Sequence, residues 1–350
     1  MKIVIAIDSF KGCLSSVEAN AAAAEGVKDA CKDADIRQVA VSDGGEGFLS
    51  AYHAAIGGEF VQLTVMNPLM RPVQAKYLLK DRLAVIEMAE ASGLTLIANH
   101  ERNPLITTTY GTGQLIADAV RKGAERIIVG LGGSATCDAG QGMLQALIDT
   151  FSKNGAWENM DELKRVHFTI ASYVSNPLGG EQGAARVFAP QKGATPEMVE
   201  QLELRARQFA EASALRLGFD RSEEAGAGAA GGLGYALMQY LDADSQSGID
   251  LILEAMDFEQ LTSDADLVVT GEGRADTQTL MGKLPIGILR HSGHTPVCLI
   301  AGQVTDLHQL LQAGFSHVSC INPPETPISE ALHPEVAQQN IRRTVCRLLK

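Results

Sequence analysis

Long apolar runs are missing from this sequence. The N-terminal stretch MKIVIAI is broken by Asp8 after seven residues, too soon for a signal-peptide core, and no later run approaches the ~18 apolar residues of a membrane span. The expectation is a soluble, cytoplasmic protein. Aromatic residues are scarce at 5%, with a single Trp, so ligands are expected to be held by loops and main chain rather than by stacking surfaces. The six cysteines, at 13, 31, 137, 298, 320 and 346, form no C-x-x-C pair, which excludes a disulfide framework and a zinc ribbon. No H-E-x-x-H occurs, and His291 and His294 lack an acidic or Cys companion at ligand spacing. Positive charge is in deficit, 29 basic against 42 acidic residues for a net charge of −13, a field that opposes nucleic acid and anionic lipid. Neither is expected as a partner, and an anionic ligand would need a local positive island of Lys, Arg and helix N-termini.

What is abundant is glycine, 35 residues in 350, within a chain that is 45% hydrophobic and 20% charged. Such a chain buries a sizeable core and has the length of two domains or one large one. Ile3 to Ile7 is a short continuous apolar run rich in β-branched residues, the mark of a strand covered on both faces. Ser15 and Glu18 then stand at capping-box spacing before a helical pattern at Val17, Ala21, Ala24, Val27 and Cys31. The last third repeats this grammar, with strands expected at 266–270, 297–301 and 317–321 between helical stretches at 277–292, 305–313 and 335–349, as in a doubly wound parallel sheet. The middle differs. Runs at 60–66, 72–79 and 83–88 leave no room for crossover helices and predict an antiparallel meander, followed by a helix over 111–122, a strand over 126–131 and a helix capped by Thr195. Because one grammar brackets the other, the expectation is an α/β fold with a second α/β domain inserted into the first: residues 1–60 and 250–350 for the outer domain, 61–249 for the insert.

The loops that could carry chemistry combine glycine with charged or hydroxyl residues at strand ends. Asp8-Ser9-Phe10-Lys11-Gly12 follows the opening strand, where an α/β sheet places ligand contacts. In Asp43-Gly44-Gly45-Glu46-Gly47 two carboxylates flank a glycine turn, which suits Mg²⁺ or a substrate hydroxyl as well as an ordinary turn. Gly130 to Thr136, with Gly132, Gly133 and Ser134 at its centre and Asp138 behind, lets backbone N–H groups approach a phosphate. Asn176-Pro177-Leu178-Gly179-Gly180 leads to Gln191 and Lys192, the latter either an anion contact or a solvated loop lysine. Thr270 to Thr279, running on to Lys283, gathers Glu272, Arg274 and Asp276 at the end of a buried strand, a density of charge that a structural turn has no need of.

Two strings, 130–135 and 226–231, match G-x-G-x-x-G/A, but neither opens a βαβ unit with the expected acidic residue. A nicotinamide dehydrogenase would rest on those strings alone. No P-loop and no protein-kinase signature occurs.

Taken together, SDGGEG (42–47), YGTGQLI (110–116), GLGGSAT (130–136), NPLGG with APQKGAT (176–195), GAGAAGGLG (226–234) and TGEGRADTQT (270–279) resemble the type I glycerate kinase family, in this order and over nearly the whole chain. The resemblance implies a flavodoxin-like doubly wound domain with a second α/β domain inserted, and an ATP- and Mg²⁺-dependent phosphorylation of D-glycerate, to 2-phosphoglycerate in preference to 3-phosphoglycerate. On that reading Lys11, Asp43, Glu272, Arg274, Asp276 and Lys283 carry the chemistry, with Asp43 and Asp276 as metal ligands. Asp8, Ser9, Gly44, Gly45, Glu46, Asn176, Gln191 and Lys192 contact the substrate, and Gly132, Gly133, Ser134, Asp138, Gly228, Gly231 and Gly232 the nucleotide. The chain departs from the family pattern at Ile7 (usually Pro), at Cys137 to Gly140 (usually Asn-Asp-Gly-Gly), at Tyr173 (usually Asp) and in a shorter stretch between Leu147 and Phe168. The rival expectation is a protein of the same scaffold that binds glycerate or nucleotide without turnover. The oligomeric state is not legible.

Overall fold

The computed structural model describes every residue except 46, 154, 156, 158, 159 and 325. Its strands are β1 (Lys2–Ile7), β2 (Asp35–Gln38), β3 (Glu59–Met66), β4 (Pro72–Lys80), β5 (Leu83–Glu87), β6 (Arg126–Gly130), β7 (His167–Ala171), β8 (Asp244–Gln246), β9 (Leu267–Ala275), β10 (Val297–Val304) and β11 (His317–Cys320). They form two sheets, and the chain divides into two compact units: Met1–Asp43 with Ser50–Ile56 and Ile249–Lys350, and Gly44–Leu49 with Gly57–Gly248.

The first unit holds an all-parallel five-stranded sheet in the order β11-β10-β9-β1-β2. Numbered within this unit alone, that is 2-1-3-4-5, the flavodoxin-like order. The sheet is sandwiched by two apolar clusters. One gathers Val4, Leu253, Phe258, Leu284 and Leu299; the other gathers Ile3, Ile5, Ala23, Val27, Ile341 and Val345. Alternate residues of β1 thus feed opposite faces, as a strand covered on both sides requires. Helix Ser16–Ala30 begins at the expected capping box, with Ser15 and Glu18 bonding reciprocally. The helical pattern over 277–292 is not one helix. A short 3-10 turn, Thr277–Met281, ends at Gly282 with φ +102°, and a separate helix runs Leu284–His291. Pro285 in the first turn of that helix explains the restart, because proline fits there and not in a helix interior.

The second unit has a six-stranded mixed sheet, β3-β4-β5-β6-β7-β8. The meander β3-β4-β5 is antiparallel, and β5 to β8 pair in parallel. Its core contains Tyr77, Ile86, Leu115, Ile127, Val129, Phe168 and Leu233. Helix Pro196–Leu217 starts at Thr195, whose side chain accepts from the Met198 N–H. The glycine-rich string at 226–234 enters helix Ala229–Leu241 with a kink, where Ala230, Gly231 and Gly232 have left-handed backbone angles.

Candidate functional site

In a doubly wound sheet, ligands bind outside the carboxyl ends of the strands, where the strand order reverses. In the first unit that point lies between β1 and β9, and the charged loops meet there. The Asp8 N–H donates to the Gly271 carbonyl at 2.9 Å, so Asp8 stands beside the residue preceding Glu272. Gly271 is required at this spot, because a Cβ would sit 2.5 Å from the Ile300 carbonyl oxygen of β10. The Asp8 carboxylate accepts from the Ser9 N–H at 2.7 Å. Burial, with the nearby negative charge of Asp43, raises its pKa to about 7, against smaller opposing pulls from the Ser9 N–H and from Lys11.

Glu272, 6% exposed, accepts the Thr279 hydroxyl at 2.5 Å and lies 3.7 Å from the Lys283 ammonium. Burial raises its pKa, and Thr279 and Lys283 oppose that shift. Asp276 caps the short turn by accepting from the Gln278 N–H at 2.9 Å, and its other oxygen pairs with the Arg274 guanidinium at 3.1 Å. Asp276-Thr277-Gln278-Thr279 is therefore a capping box that also delivers Thr279 to Glu272. Thr279 is a site residue that the sequence does not single out, although Asp276 and Thr279 stand at capping-box spacing.

In the second unit, β5, β6 and β7 end side by side, at Glu87, Gly130 and Ala171. The loop after β6 is pinned on both sides. The N–H groups of Gly132 and Ala135 donate to the carbonyls of Gly44 and Ser92, and Leu94 donates to Gly133. These bonds do not use the N–H groups of Gly133 and Ser134. Gly132 packs so closely on Gly45 that a Cβ would lie 2.2 Å from its Cα. Lys192 is 3% exposed, and its ammonium donates to Ser134 Oγ at 2.7 Å and to the Thr136 carbonyl at 2.8 Å. Burial lowers its pKa. This lysine points into the protein, toward the loop.

The same loop reaches Asp138, whose carboxylate accepts from Thr109 N–H at 2.7 Å, Thr109 Oγ1 at 2.9 Å, and Gly140 and Gly142 N–H at 3.1 Å each. It thereby ties the start of helix Gln141–Phe151 to the start of helix Tyr110–Arg121. Asn176 donates its amide to the Gln182 carbonyl at 2.7 Å, while Gln191 is exposed. Gly228, Gly231 and Gly232 are buried and approach this protein's own main chain. A Cβ on Gly231 would sit 1.9 Å from the Thr136 carbonyl oxygen, and one on Gly228 2.2 Å from that of Pro177.

The family model for the glycerate kinase family matches residues 3–350. The chain belongs to the glycerate kinase family. It is 44% identical to a glycerate kinase of Bacillus subtilis (strain 168), covering 98% of this chain and 96% of that protein. With the glycerate 2-kinase of Escherichia coli (strain K12) it shares 41% identity over 87% of this chain and 86% of that one. A crystal structure assigned as glycerate kinase 2 from Salmonella typhimurium LT2 superposes with a TM-score of 0.81 at 39% identity, covering 100% of this chain and 97% of that chain. The α/β fold expected from the family resemblance is thus the fold found.

Within this glycerate kinase fold, the structure gathers Asp8, Ser9, Lys11, Asp43, Glu272, Arg274, Asp276 and Lys283 in the first unit. Gly44, Gly45, Gly132, Gly133, Ser134, Asp138, Asn176, Gln191, Lys192, Gly228, Gly231 and Gly232 fall in the second. Glu46 lies outside the described residues. Among those described, no helix is long and apolar enough to cross a membrane.

Proposed function

We propose that this chain transfers the terminal phosphoryl group of ATP to a hydroxyl of D-glycerate, forming 2-phosphoglycerate in the cytoplasm. The relatives named glycerate kinase support the substrate, and the one named glycerate 2-kinase supports the position. The observation that carries the proposal is the charge arrangement at the β1/β9 switch point, where Lys11, Arg274 and Lys283 stand among Asp8, Asp43, Glu272 and Asp276 in a protein of net charge −13. Phosphoryl transfer passes through a loose transition state, so catalysis is mostly positioning and charge neutralisation. Lys11, Arg274 and Lys283 are assigned to the glycerate carboxylate and the moving phosphoryl group. Asp8, next to Ser9, is assigned to orient the attacking hydroxyl. From the second unit, Gly44, Gly45, Asn176 and Gln191 are proposed for the substrate, and Lys192 acts on it through the Ser134 hydroxyl that it polarises. The N–H groups of Gly133 and Ser134, with Gly132, Asp138, Gly228, Gly231 and Gly232 shaping the loops, are proposed for the nucleotide phosphates.

Among the described residues, no three His, Cys, Asp or Glu side chains converge as a ready metal cage. Mg²⁺ needs no such cage, since it is usually held by one or two carboxylates together with waters and substrate phosphates. Asp43, whose charge is felt at Asp8, and Asp276 fit that donor set. When bound, the ion would neutralise phosphate charge. Coupled ADP release over a panel of small hydroxy acids, with NMR of the product, tests the assignment. Release is expected to require both D-glycerate and Mg²⁺. ATP consumption indifferent to glycerate would overturn the substrate, and glycerate-dependent turnover in excess chelator would overturn the metal.

A further inference from the structure

We propose that the first unit carries a second anion site, distinct from the β1/β9 switch point, for a small molecule bearing two or more phosphate or carboxylate groups. The site is a cleft of about 910 Å³ between the segment that follows β11 and helix Pro334–Leu348. None of the residues assigned above to phosphoryl transfer lines it. The helix buries Ala337, Ile341, Thr344 and Val345, and the face it turns to the cleft carries Arg342, Arg343 and Arg347.

These three arginines are not equivalent. Arg342 is committed to the wall of the cleft, where its Nε and Nη2 grip the two oxygens of Asp29 at 2.5 and 2.8 Å, a bidentate pair. Asp29 belongs to helix Ser16–Ala30, which comes close because Gly26 has no Cβ to meet the Arg342 carbonyl oxygen, 2.4 Å from where one would stand. Arg343 forms no hydrogen bond or ion pair among the described residues. Among the described residues, Arg347 has only the Thr344 hydroxyl, at 3.3 Å. Two guanidinium groups four residues apart share a helix face and repel each other.

The helix dipole accounts for Arg347, which lies in the last turn. Arg343 stands before that turn, where the dipole has faded. Across the cleft, Asn340 donates to Asn322 at 3.1 Å and Asn322 donates to the Gly302 carbonyl at 2.7 Å, so the amide wall is fixed in advance. A positive cleft with a hydrogen-bonded amide wall, in a chain of net charge −13, is suited to a ligand with two anionic groups, one for Arg343 and one for Arg347.

Isothermal titration with pyrophosphate, with 3-phosphoglycerate and with inorganic phosphate tests this, comparing wild type with Arg343→Gln/Arg347→Gln. The wild type is expected to bind pyrophosphate or 3-phosphoglycerate at one equivalent that the double variant lacks or binds at least tenfold more weakly. Inorganic phosphate should bind more weakly than either, and turnover of ATP and D-glycerate with no probe added should be unchanged. The wild-type affinity should fall as salt is raised. Equal stoichiometry and affinity in the two proteins for every probe would overturn the proposal. If the Gln pair does not fold, Arg343→Lys/Arg347→Lys decides. That pair keeps the charge but loses the fork, so at least threefold weaker binding is expected and unchanged affinity rejects the site.

Discussion

Glu272 is held by two partners of different kinds, and this sets what its neighbours do when they are changed. Its carboxylate is buried, takes the Thr279 hydroxyl, and has Lys283 as its cation. Removing Lys283 strands a buried carboxylate, which is costly. Lys283→Ala is therefore expected to lower both melting temperature and turnover. Arg274 has a 61% exposed side chain, so Arg274→Ala should lower turnover at least tenfold, about 1.4 kcal/mol of transition-state stabilisation, with little change in melting temperature. Adding Glu272→Gln to Lys283→Ala should restore melting temperature but not activity, measured by thermal melts and coupled ADP release. A Lys283→Ala protein that melts like wild type would show that the pair carries no stability. Lys192 behaves differently. Lys192→Met strips the partners from Ser134 Oγ and the Thr136 carbonyl, and is expected to cost about 2–3 kcal/mol of stability, read from denaturant midpoints. A midpoint equal to wild type would remove it as the support of the loop.

At the scale of elements, Asp138 is the counterpart of that lysine. It joins two helix starts through four hydrogen bonds, so Asp138→Ala should destabilise the second unit by about 2–4 kcal/mol, as buried donors lose a charged acceptor. Protection of the Thr109, Gly140 and Gly142 amides against hydrogen exchange reports it, and unchanged protection would refute it. Here the limits of sequence reading are physical. The periodicity of Val17 to Cys31, the alternation in the meander and the Thr195-Pro196 cap are local signals, and they became helix Ser16–Ala30, strands β3 to β5 and helix Pro196–Leu217. The clustering of Glu272, Arg274 and Asp276 was likewise legible, because the three sit within five residues of one strand end. By contrast, the bond from Lys192 to Ser134 spans 58 residues, and nothing in the string APQKGAT says that the lysine turns inward. Glycine carried the same ambiguity. Gly231 is needed because its φ is +68° and the Thr136 carbonyl is in the way, a reason that reads in sequence like a phosphate loop.

For the whole molecule the question is turnover against binding alone, and Tyr173 is where the two readings diverge. The family usually has Asp at this position, and a carboxylate there could serve a substrate hydroxyl. Tyr cannot supply that charge near neutral pH, since its unperturbed pKa is about 10. In the structure Tyr173 follows the end of β7 and is 43% exposed. At that exposure a charge placed here keeps much of its hydration, and the desolvation cost is small. Tyr173→Asp is therefore expected to shift the melting temperature by only a few degrees. The groups assigned to phosphoryl transfer, Asp8, Lys11, Asp43 and the run from Glu272 to Lys283, belong to the other unit and are all present. If they suffice, the wild type turns over at an ordinary rate for its family and Tyr173→Asp changes kcat less than threefold. A gain of tenfold or more in the Asp variant would show that the wild type is a binding protein on a kinase scaffold.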